Sequence, residues 1–124
     1  MLQRRENIIV IKTEKFADRI VKMCQFLEGE RHISYSRLNQ IYRSGTSIGA
    51  NTAESQFAQS DADFVCKLSI ALKEANETRF WIERLHTAGI LTEEESSSHT
   101  NDCNEIIYIL ISIINKMKDK LKNR

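Results

Sequence analysis

Phe16, Ile20, Met23 and Leu27 recur at steps of four, three and four residues, the spacing of one helix face. This seam predicts a first helix over about 13–28, ended by Gly29 and followed by a polar turn through residue 34. Leu38, Ile41, Gly45, Ile48 and Thr52 carry a second seam, over about 35–56. The third is an unbroken heptad spacing of Phe64, Leu68, Ala71, Ala75, Thr78, Ile82 and Leu85, over about 61–88. Ser60 with Asp63 forms a capping-box-like start, and Gly89 supplies a left-handed stop. The fourth helix, over about 92–122, opens on Thr92-Glu93-Glu94-Glu95, a capping box with acids on the positive dipole end. Its seam is Cys103, Ile107, Leu110, Ile114, Met117 and Leu121. The stretch 106–114 is β-prone in composition, but the heptad passes through it without a breaker.

Four such helices in 124 residues, with no proline and four glycines, predict one all-α domain over 1–124. Short turns join neighbouring helices. The net charge of +1 provides no global basic field for nucleic acid. Charge is uneven, however. Residues 93–105 carry acids and no Lys or Arg, which reads as a solvated helix start, whereas 116–124 are rich in lysine. Cys24, Cys66 and Cys103 are unpaired in pattern and fall on apolar stripes, as reduced core thiols of a cytoplasmic protein would. The apolar residues 7–11 are too few for a signal peptide, and 106–114 cover only about half a membrane span. No membrane association is expected.

Arg43, Ser47, Asn51 and Glu54 share one side of the second helix. They read either as a ligand or nucleic-acid site or as a structural network, with Glu74 and Glu77 of the third helix able to receive Arg43. In the structural reading Arg43 is half-buried and needs such a partner. Gly45 and Gly49 lie one turn apart and give up helix propensity for close approach. The small residues Ala71 and Ala75 of the third helix are their expected counterpart.

Little else points to chemistry. Glu83-x-x-His86 matches the helix-borne unit of di-iron bundles, but that site needs a second such unit. A surface pair with His86 near a helix C-terminus is the simpler reading. No nucleophile elbow, phosphate-binding glycine loop or paired Cys/His context is present. No enzyme activity and no cofactor are expected.

Arg43-Ser44-Gly45-x-Ser47-Ile48-x-Ala50-Asn51-x-Ala53-Glu54, then Asp63-Phe64, Leu68-Ser69-Ile70-Ala71, Glu74-Ala75-Asn76-Glu77-Thr78 and Leu85-x-x-x-Gly89 form a combined motif. It resembles a bacterial four-helix-bundle family that includes proteins encoded in intervening sequences of large-subunit ribosomal RNA genes. The family also includes the accessory protein of diversity-generating retroelements. The resemblance implies an all-α, antiparallel up-down four-helix bundle that assembles into a homopentameric ring without enzymatic activity. Retroelement members are thought to bind nucleic acid and a reverse transcriptase through a basic surface, which the near-zero charge of this chain does not reproduce.

Self-association has a residue-level argument as well. Ile107, Leu110 and Ile114 already supply the stripe that closes a core, yet Ile106, Ile109 and Ile113 form a second one, widened by Tyr108 and Ile111. A helix apolar nearly all round is buried on more than one side, so the second stripe is expected to face a neighbouring subunit, or else the core is wide. The expected function is a non-catalytic oligomeric adaptor with a protein or nucleic-acid partner. The alternative is an RNA- or DNA-binding accessory factor acting through Lys116, Lys118, Lys120, Lys122 and Arg124. A di-iron enzyme is the remote third.

Overall fold

The computed structural model describes residues 7–123, which form four helices joined by short connections. These are α1 (Asn7–Glu30), α2 (Tyr35–Ser55), α3 (Asp61–Thr87) and α4 (Glu93–Lys122). α1 packs on α2 and α4, and α3 packs on the same two, while the diagonal pairs stay apart. This is the square arrangement of an up-down bundle. The α1–α4 side is the most thinly packed of the four.

α1 starts well before Thr13, where the helix was expected to begin. Ile9 is fully buried, and Thr13 is buried with its hydroxyl donating to the Ile9 carbonyl at 2.8 Å. A threonine satisfied by its own helix sits in the core without penalty, so the buried face runs through it. Gly29 does not end α1 either. The helix continues to Glu30, and the left-handed residue beyond it is His32 (φ 58°). The amides of Arg31 and Ile33 both reach back to the Leu27 carbonyl, at 3.2 and 3.1 Å.

Other helix ends are as the sequence reads. Ser60 Oγ accepts from the Asp63 amide at 3.0 Å, although the Asp63 carboxylate caps Gln59 rather than Ser60. Thr92 and Glu95 bond reciprocally, at 2.8 and 3.1 Å, in a complete capping box. Gly89 takes a positive φ of 78°.

Gly45 and Gly49 serve α1 and not Ala71 and Ala75 of α3. A Cβ at Gly45 would lie 2.8 Å from Ile20 Cγ1, and one at Gly49 would lie 3.0 Å from the Thr13 carbonyl oxygen. Ala75 instead admits α4, with Cys103 Sγ donating to its carbonyl at 3.2 Å. Small residues therefore let α1 approach α2 at Gly45 and Gly49, and α4 approach α3 at Ala75.

Candidate functional site

Arg43 bridges α2 and α3 at the surface. Its Nη2 lies 2.6 Å from Glu77 Oε2 and its Nη1 3.4 Å from Glu74 Oε1. Gln40 Oε1 and the Trp81 indole complete the group, the indole donating to Glu77 Oε2 at 3.4 Å. The Arg43 side chain is 54% exposed, because it lies along the outside of the helix pair. The rest of the polar stripe does not cross. Ser47 Oγ donates to the Arg43 carbonyl and Asn51 Nδ2 to the Ser47 carbonyl, while Glu54 is exposed with no ion pair among the described residues. Ser47 and Asn51 thus turn back onto their own helix backbone and not toward α3.

The buried polar link between these helices is Ser44 with Thr78. Both are fully buried, their hydroxyls hydrogen-bond at 2.9 Å, and Thr78 also donates to the Glu74 carbonyl at 2.7 Å. The sequence signal was a threonine inside the apolar seam of the third helix. Such a residue requires a partner, and the partner precedes Gly45.

Across the α1–α4 side the contacts are charged. Arg31 holds Glu95 at two points, 2.6 and 2.7 Å, and donates to the Ile90 carbonyl at 2.9 Å. Arg19 pairs with Asp102 and donates to Ser98 at 3.0 Å, and Lys12 pairs with Glu105 at 3.1 Å. The acidic block is therefore not merely a solvated helix start. Its carboxylates meet the basic face of α1, far away in sequence. The Arg31 guanidinium, with help from the Thr92 cap, holds the Glu95 carboxyl down to about 2.

His99 lies beneath this seam, only 8% exposed, with Nδ1 2.8 Å from the Glu95 carbonyl oxygen. Burial lowers its pKa, and the nearby Arg19 charge adds to that. Burial likewise pushes the Cys24 thiol up to about 11 and Cys103 to about 12, so both are inert core groups. Cys66 departs from the expected core position and is exposed.

Ile106 and Ile113, at 2% and 8% exposure, belong to the chain's own core, with Ile109 packed against it. They are not free to meet another subunit. α4 touches two neighbours, so its buried arc is wide. The apolar groups that it does expose are Tyr108, at 77%, and Ile111.

Glu83 pairs with Arg84 at 2.7 Å and His86 is exposed. Among the described residues no three His, Cys, Asp or Glu side chains cluster as metal ligands would. Lys116, Lys118, Lys120 and Lys122 are exposed on the last turns of α4, where Lys120 reaches Asp61 at 3.8 Å. Arg124 lies outside the described residues. No described helix is long and apolar enough to cross a membrane.

No curated protein is significantly similar to this chain. A crystal structure of a protein with unknown function from the S23 ribosomal protein family of Bacteroides thetaiotaomicron matches with a TM-score of 0.86 and 49% identity. The match covers 89% of this chain and 97% of that one. Residues 5–112 match the 23S rRNA-intervening sequence protein family. On that extent of agreement, the chain belongs to the 23S rRNA-intervening sequence protein family.

Proposed function

We propose that this chain is a non-catalytic adaptor that works as a homo-oligomer, the pentameric ring that the family resemblance implies. One observation carries the reading. Ile8 and Ile11 of α1, and Tyr108 and Ile111 of α4, are left at the surface of the bundle. All four are exposed apolar side chains. Exposed apolar side chains of this size are what a second copy would cover. It replaces Ile106, Ile109 and Ile113 as the proposed interface.

The paired variant Tyr108→Glu with Ile111→Lys tests the assignment by light scattering. Loss of the assembled mass with an unchanged helical spectrum supports it. An unaltered mass removes this face from the interface.

RNA or DNA binding is the second reading. Lys116, Lys118 and Lys122 are exposed and have no ion pair among the described residues. They project from the last turns of one helix, and a ring would repeat them around its rim. Effective concentration would then raise a weak single-chain affinity.

A further inference from the structure

The α1–α4 seam is open between two of its clamps. Arg31 holds Glu95 on one side, and Arg19 holds Asp102 and Ser98 on the other. Between them lies a cleft of about 360 Å³, within the roughly 300–1,000 Å³ range of small-molecule sites. Its floor is the buried side chains of Met23, Leu27 and Leu91. Phe26 forms a half-exposed wall, with the Arg31 guanidinium 5.0 Å from its ring centroid.

His99 also lines the cleft. Its Nδ1 faces a carbonyl oxygen, which only accepts, so Nδ1 carries the ring proton. In the neutral imidazole Nε2 is then a bare acceptor. No described residue donates to it. Burial keeps the ring neutral around pH 7. The cleft thus presents one acceptor without a protein donor, on a ring only 8% exposed.

We propose that this cleft binds a small uncharged phenol, its ring on Met23, Leu27 and Leu91 and its hydroxyl donating to His99 Nε2. The acceptor selects a ligand that donates a hydrogen bond, beside the charged side chains of Arg19, Lys22 and Glu95 that also line the cleft. The Phe26 ring and the Met23 thioether favour an aromatic body over an alkyl chain. A dry cavity of about 150 Å³ already admits benzene, so a ring with a short substituent fits here.

The test uses 4-propylphenol and propylbenzene on the intact chain. In nitrogen-detected imidazole spectra near neutral pH, free His99 should show a protonated Nδ1 and a bare Nε2. Adding 4-propylphenol should shift Nε2 and the Met23 methyl along one saturable curve. Propylbenzene, which has no donor, should bind about tenfold more weakly, the size of one buried hydrogen bond. His99→Phe should erase that difference. Equal affinity of the two probes, a protonated Nε2 in the free protein, shifts that map elsewhere, or no saturable shift at millimolar phenol overturns the proposal. The two-probe comparison needs no variant, so a misfolded His99→Phe leaves it decisive. Because the cleft lies within one chain, the result is independent of the oligomeric reading.

Discussion

Arg31, just past the end of α1, and Glu95, in the first turn of α4, meet end-on with both guanidinium nitrogens on both carboxylate oxygens, at 2.6 and 2.7 Å. The pair ties the α1–α2 turn to the start of α4 across the most thinly packed side of the bundle. Glu95 also closes the Thr92 capping box, so one carboxylate serves two functions.

This gives a pH signature. The unfolded carboxyl binds its proton near its ordinary 4.5, and the folded one only near 2. Between those values the unfolded state holds more protons, so stability falls as pH drops through the window and is fully present above it. Because the pair is partly open to solvent, only part of that shift appears as stability. Urea melts of the parent and Glu95→Gln should differ at pH 7 and converge toward pH 2. Parallel curves across that range would remove the pair from the stability of the fold.

The glycines separate by what surrounds them. An alanine Cβ at Gly45 would press on the β-branched, fully buried Ile20, and the strain should exceed the helix-propensity gain of about 1 kcal/mol. Gly45→Ala should therefore destabilise by about 1–3 kcal/mol. Gly29 lies in the last turn of α1, and an added methyl group there would meet nothing within 4 Å. Gly29→Ala should stabilise by about 0.5–1 kcal/mol. Denaturant midpoints read both signs directly.

Ser44 and Thr78 should be coupled and Arg43 should not matter much. Thr78→Val leaves the buried Ser44 hydroxyl with only a 3.5 Å contact to the Ile41 carbonyl and should lose about 1–3 kcal/mol, whereas Ser44→Ala leaves Thr78 on the Glu74 carbonyl and should lose about 0.5–1.5 kcal/mol. The double variant should lose less than the sum of the two. Arg43→Ala, at an exposed bridge, should lose under about 1 kcal/mol. Additive losses in the cycle, or a larger loss at Arg43, would reverse which contact joins α2 to α3.

If the lysine-rich end of α4 contacts single-stranded nucleic acid, each phosphate contact should contribute roughly −0.7 to the slope of log K against log salt. Neutralising Lys116, Lys118 and Lys122 with glutamine should flatten that slope. Binding that is indifferent to salt, or that survives the triple variant, rules the tail out.

Seams such as Phe16–Leu27 and Phe64–Leu85 fixed helices, caps and core, because one periodicity specifies which face is buried. They did not specify which neighbour that face meets. α2 touches both α1 and α3, so the spacing of Gly45 and Gly49 is equally compatible with either, and the structure places α1 there. Ile106 and Ile113 looked surplus for the same reason, since α4 also has two neighbours to bury against. The ion pairs of the α1–α4 side join residues far apart in the chain, and surface charges carry no periodic signal that matches them. The Ser44–Thr78 link was partly legible, because a threonine within an apolar heptad announces a buried polar partner without saying where it lies.

Self-association is the claim on which the adaptor reading rests, and the solution mass of the unmodified chain tests it most directly. Sedimentation equilibrium across micromolar concentrations should return five times the 14.4 kDa chain mass. A single species at 14.4 kDa throughout that range would leave Ile8, Ile11, Tyr108 and Ile111 as surface residues of a monomer, and the ring would have to be abandoned.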